Sequence, residues 1–99
     1  MVKHVVLFQF RDDVSESQRK EVRETFRSEI LALKDQLDII RDIEVGFNEN
    51  PDEKWDICLY SSFATLDDVR TYSVFLAHKA AASKLIPHLS GRSCVDYEI

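Results

Sequence analysis

"LDIIRDIEVGFNENPDEKWDICLYSSFA", residues 37–64, decides the fold. Two runs rich in isoleucine, valine, tyrosine and phenylalanine flank the polar stretch "ENPDEK" with its proline. Such runs read as strands and such a stretch as a turn, so 37–48 and 55–64 are expected to form adjacent antiparallel strands. No 3.6-residue apolar period separates them, so this ββ unit has no helix inside it.

Working outward, both flanks are helical. Upstream, Ser15 with Gln18 three residues later has the form of a capping box. Val22, Phe26, Ile30 and Leu33 then fall on one helical stripe with charge opposite, ending near Lys34 or Asp35. Downstream, Thr65 and Asp68 open a short helix through Leu66, Val69 and Tyr72. An alanine-rich piece follows from Phe75 or Leu76 to about Ile86, where Pro87 stops it. At the ends, "VKHVVLFQF" (2–10) and "SCVDYEI" (93–99) read as strands, with "SGR" (90–92) as a turn. The order β-α-β-β-α-β is the ferredoxin-like α+β arrangement. It implies a four-stranded antiparallel sheet in the order 4-1-3-2, with both helices on one face. One domain over 1–99 is expected from the length.

Splitting the strands by parity gives two apolar faces. Odd positions supply Val5, Leu7, Ile43, Val45, Phe47, Ile57, Leu59, Phe63, Val95 and Tyr97; even positions supply Val6, Phe8, Phe10, Ile40, Cys58, Tyr60 and Cys94. Two helices cover one face only, and a bare apolar face larger than a few hundred Å² is rare on monomers. A homodimer is therefore expected, with Val5, Leu7, Val45, Phe47, Ile57, Leu59 and Val95 at its interface. A bulge would shift this parity. Val6, Phe8, Phe26, Cys58, Tyr60 and Cys94 are expected to line a pocket under the helices.

The net charge of −5 and the lack of a basic stripe argue against nucleic acid as the main partner. The apolar N-terminal run is too short for a signal peptide or membrane span, so a cytosolic protein without membrane contact is expected. Cys58 and Cys94 would sit on the third and fourth strands with the first between them, about 9–10 Å apart. That is beyond disulfide reach, so free thiols are expected. The three histidines lack i, i+4 spacing, and no metal is expected.

Polar groups interrupt the even positions: His4, Asp42, Glu44, Asp56 and Asp96. Antiparallel pairing of the first and last strands brings His4 to Asp96 and leaves Asp56 at the far end, near Phe10. The second helical region begins at the His4 end, which carries Tyr72 and His78 towards the same space. In "TYSVFLAH" (71–78) these two lie six apart, and one unbroken helix would aim them in different directions. A break near Ser73–Phe75 would turn both inward. A carboxylate beside a histidine fixes its tautomer, and a histidine near a phenol can act as general base while the phenol polarises a carbonyl. That chemistry is proton removal next to a carbonyl and needs no cofactor. The blander reading is that His4, Tyr72 and His78 are packed, hydrogen-bonded core residues; His88 is expected at the surface.

"KH" before an apolar strand, Tyr72-x5-His78 and the late "DY" together resemble the stress-responsive A/B barrel (Dabb) domain family across essentially the whole chain. The resemblance implies homodimers whose sheets pair into a barrel. It also implies a likeness to the olivetolic acid cyclase type of plant polyketide cyclase, which performs a cofactor-free aldol cyclisation. In that type the catalytic tyrosine and histidine match Tyr72 and His78, and supporting groups match His4 and Asp96. Two positions depart from the pattern. Asp56 stands where that type has a pocket histidine, and Phe75–Leu76 stand where the family reads His-Pro. The resemblance implies a homodimer with a pocket for a small apolar or aromatic ligand. The alternatives are a cofactor-free lyase, cyclase or isomerase acting on a polyketide-like or β-dicarbonyl compound, a cofactor-independent monooxygenase, and an assembly role.

Overall fold

The computed structural model describes residues 1–99. The chain forms β1 (Val2–Phe10), α1 (Glu16–Leu31), β2 (Asp42–Phe47), β3 (Ile57–Phe63), α2 (Leu66–Val74), α3 (Leu76–Leu85) and β4 (Leu89–Glu98). The strands make one antiparallel sheet in the order β2-β3-β1-β4, the ferredoxin-like order read from the sequence. No helix is long and apolar enough to cross a membrane.

The caps act as the residues suggest. Ser15 Oγ accepts from Gln18 N–H at 3.2 Å, and Thr65 Oγ1 accepts from Asp68 N–H at 3.1 Å. Each satisfies a backbone donor that the first helical turn leaves open. After α1 the chain tightens into a 3₁₀ turn over Ala32–Asp35 that keeps Leu33 buried. Two element boundaries differ from the sequence reading. Leu37–Arg41 is not strand: Leu37 N–H and Ile40 N–H bond back to Leu33 and Leu37 carbonyls, and this turn buries Ile40. The residues 90–92 are not a turn but part of β4, which follows a 3₁₀ turn at Ile86–His88 and pairs with β1 as far back as Phe10–Leu89.

Register corrects the parity reading. Opposed residues in antiparallel strands share a face. Val6 opposes Leu59 and Phe8 opposes Ile57, so the even positions of β1 share a face with the odd positions of β3. Val45 in turn opposes Leu59, and Phe47 opposes Ile57. Val45, Phe47, Ile57 and Leu59 therefore lie on the helix-covered face, not on the bare face expected for them. The Arg23 and Arg27 side chains of α1 sit 4.9 and 4.3 Å over the Phe47 ring, which fixes its side of the sheet. Cys58 and Tyr60 lie on the bare face, not under the helices, and so do Asp42 and Glu44. Parity carries within a strand but not across connections, because a connection can hold an odd or even number of residues. On β4 the register keeps Val95 and Tyr97 on the bare face with Val5, Leu7 and Lys3, and Cys94 and Asp96 on the helix face.

The core lies between sheet and helices. Val6, Phe8, Ile57, Leu59 and Phe63 rise from the sheet to meet Phe26, Ile30, Val69, Tyr72, Ala81 and Leu85, and all of these are buried. Phe8 and Phe26 meet edge to face at 5.5 Å. The bare face is less apolar than its parity suggested, since Lys3, Asp42 and Glu44 edge it. Its centre is Val5, Leu7, Cys58, Tyr60, Val95 and Tyr97.

Candidate functional site

The feature that builds the site is the interruption of the second helical region. Phe75 is extended, with φ −60° and ψ 133°, between α2 and α3. The helix restarts in a new direction, so residues six apart come to face each other. The Tyr72 and His78 rings lie 4.5 Å apart at 63°, and the His4 ring of β1 lies 6.0 Å from Tyr72. Phe63 packs on the other side of Tyr72 at 5.0 Å. The topology supplies the fourth group. His4 and Asp96 are opposed in the β1–β4 ladder, and His4 Nδ1 is hydrogen-bonded to Asp96 Oδ1. Tyr72, His78, His4 and Asp96 are thus brought together. Asp56 is not with them: it accepts from Phe10 N–H at 2.8 Å at the other end of β1.

Two polar atoms in this cluster have no partner. Tyr72 Oη and His78 Nδ1 are buried and make no hydrogen bond within the chain. Most buried polar groups are paired, because an unpaired one carries the desolvation penalty of its group. Burial pushes the Tyr72 phenol far above its ordinary range, so it stays protonated and keeps an O–H to donate. His78 is shifted down, first by burial, then by the neighbouring His4 and by the Arg92 charge, with the backbone at Ser73 opposing. A neutral imidazole is the form able to accept a proton.

Beside the cluster is a partly enclosed cavity of about 260 Å³. Val6, Phe8 and Leu59 form its floor, and Phe26, Ala82, Leu85 and Ile86 form its helical walls. Its polar lining is His4, Ser73, His78 and Arg92. Tyr72 packs against His78 without lining the cavity itself. Of the expected pocket residues, Val6, Phe8 and Phe26 line it. Cys58 and Tyr60 are on the other side of the sheet, where Tyr60 Oη accepts from Lys3 Nζ at 2.8 Å. Cys94 is on the helix face but does not line the cavity; its Sγ lies 3.7 Å from His4 Nδ1. Leu59 and Arg92 were assigned elsewhere by the sequence reading. The signal that finds them is the His4–Asp96 pair: stepping four residues along each strand opposes Phe8 to Arg92 on the same face. Other hollows are more open: one of about 310 Å³ beside Trp55 holds none of the four groups, and one of about 430 Å³ beside Leu66 and Tyr97 holds Asp96 alone.

One group has metal-ligand chemistry: His4, Cys94 and Asp96 bring their donor atoms within 4.8 Å of one another. There the His4 nitrogen is engaged by Asp96, and burial together with the adjacent Asp96 charge raises the Cys94 thiol pKa, which opposes thiolate formation. Both cysteines are free.

The fold is shared with solved structures. A dimeric protein of unknown function and ferredoxin-like fold from Bacteroides fragilis is 47% identical, with TM-score 0.97 over 99% of this chain and 95% of that chain. A dimeric ferredoxin-like protein of unknown function from Thermobifida fusca is 20% identical, with TM-score 0.82 over 99% of this chain and 90% of that one. A hydroxynitrile lyase from Passiflora edulis shares the fold at 14% identity, with TM-score 0.75 over 99% and 92% of the two chains. No curated protein matches the chain significantly. The family model for the stress responsive A/B barrel domain matches residues 2–99, and the chain belongs to that family.

Proposed function

We propose that this protein is a cytoplasmic homodimer that holds a small apolar or aromatic ligand in the cavity between sheet and helices. The observation that carries this reading is the cavity itself: partly enclosed, largely apolar, with His4, Ser73, His78 and Arg92 as its polar lining. Ligand sites combine apolar walls with a few placed polar groups in this way. At about 260 Å³ it is smaller than the ~300–1,000 Å³ of drug-sized sites and larger than the ~150 Å³ that holds benzene. One ring with a short substituent fits that range. Dimerisation is supported by the bare apolar centre of the sheet and by the dimeric relatives from Bacteroides fragilis and Thermobifida fusca. The cytoplasmic assignment is supported by two unpaired thiols.

A second reading is catalytic. His78, neutral and unpartnered, would take a proton adjacent to a carbonyl of a polyketide-like or β-dicarbonyl compound. Tyr72 would donate to the developing oxyanion, and the Asp96–His4 pair would hold the site's charge distribution. That the fold can carry lyase activity is supported by the hydroxynitrile lyase from Passiflora edulis. A cofactor-independent monooxygenase is the variant that would consume dioxygen.

Thermal-shift screening against single-ring aromatics separates these readings. Binding alone predicts a raised Tm without product. Catalysis predicts product that is lost in both Tyr72→Phe and His78→Ala while the fold is kept. No shift with any compound that fits the cavity would contradict both.

A further inference from the structure

The cavity has one formal positive charge, and no carboxylate of the chain neutralises it. Arg92 lies on the helix face of β4, opposite Phe8, and its side chain lines the cavity together with His4 and His78. The six ion pairs of the molecule use Arg11, Arg19, Arg27, Arg70, Lys84 and His4, and none uses Arg92. The acid nearest it on the same face of β4, Asp96, is taken by His4. The walls beyond the guanidinium are apolar. We propose that Arg92 makes the cavity a site for monocarboxylic acids with a compact apolar body, the carboxylate on Arg92 at the rim and the ring or branched chain against Phe8, Phe26 and Leu85.

This rests on the ligand-pocket reading and narrows it. A guanidinium presents a planar fork matched to a carboxylate, and charge-assisted pairs of this kind are stronger than neutral hydrogen bonds. A single guanidinium carries one positive charge, which suits a monoanion better than a phosphate dianion. His78 is held neutral by burial and by its charged neighbours, so it adds no competing cation. It remains free to hydrogen-bond a second polar group on the ligand, deeper in the cavity. Arg92 itself is exposed on an edge strand, so replacing it removes charge without opening the core.

The test is isothermal titration of the full chain with 4-isopropylbenzoate, its neutral isostere 4-isopropylbenzamide, and 4-isopropylphenyl phosphate. The acid is expected to bind about ten- to a hundredfold tighter than the amide, and tighter than the phosphate. Arg92→Gln should remove the acid's advantage and leave the amide unchanged, while Arg92→Lys keeps part of it. The advantage should shrink as salt rises, because the rim is open to solvent. Equal binding of acid and amide by the wild type would overturn the Arg92 inference and leave the pocket reading standing. A preference for the acid that survives in Arg92→Gln, or a preference for the phosphate, would also overturn it. Binding of none of the three would count against both.

Discussion

Tyr72 is buried and His78 half-buried, each with a buried polar atom that has no partner, and that sets what their replacement should do. Removing an unpaired buried hydroxyl removes a desolvation penalty rather than a bond. Tyr72→Phe is therefore expected to unfold in urea within about 1 kcal/mol of the wild type, or later, while turnover, on the catalytic reading, falls. Clear destabilisation would show that the hydroxyl has a structural partner. His78 gives a pH signature. Its folded pKa lies below the ordinary 6.5, so the unfolded chain takes up a proton there first. Stability is full above 6.5 and is lost as pH falls from there towards the depressed folded value. His78→Gln should flatten that part of the urea-midpoint profile, and an unchanged slope would mean that the imidazole is not held neutral. These two residues were legible in the sequence as a pair, because six positions on one helix cannot converge and the chemistry asks that they do. Cys58 and Tyr60 were not placed correctly. Their side of the sheet depends on a register between β1 and β3 that no local pattern states.

At the scale of elements, the interruption at Phe75 is the device that assembles the site, and it is open to engineering. Leu76 is the first residue of α3 and is 80% exposed. Phe75, before it, already has the extended backbone that a residue preceding proline requires. Leu76→Pro should therefore stabilise the chain by about 0.5–1 kcal/mol in denaturant melts, through the unfolded state, with ligand binding intact. A loss of stability would mean that the α2–α3 joint needs the Leu76 N–H. The α1 cap is a simpler case: Ser15→Ala should cost about 1 kcal/mol, since Gln18 N–H loses its acceptor. Helix starts, the split second helix and the strand order could all be read from capping residues, apolar period and topology. The edges of β2 and β4 could not. Leu37–Ile40 is as apolar as a strand, yet it is turn because Ile40 is needed in the core. Residues 90–92 have turn composition, yet they are strand because β1 offers a pairing edge as far as Phe10.

For the whole molecule, the sheet has one covered face and one bare face, and the proposed reading gives the first to ligand and the second to the dimer partner. Val95 and Tyr97 are 53% and 43% exposed on the bare face of the single chain. Val95→Asp, placed amid Val5 and Leu7, should shift the mass measured by light scattering from dimer to monomer without emptying the cavity on the other side. A variant that stays dimeric would move the interface elsewhere. The central claim is that ligand enters on the covered face. It is tested most directly by amide and methyl NMR shift mapping of the wild-type protein titrated with 4-isopropylbenzoate. The account predicts saturable shifts at Val6, Phe8, Phe26, His78, Ala82 and Leu85. Shifts confined to the open hollow around Trp55, Gly46 and Cys58, or none at all, would contradict it.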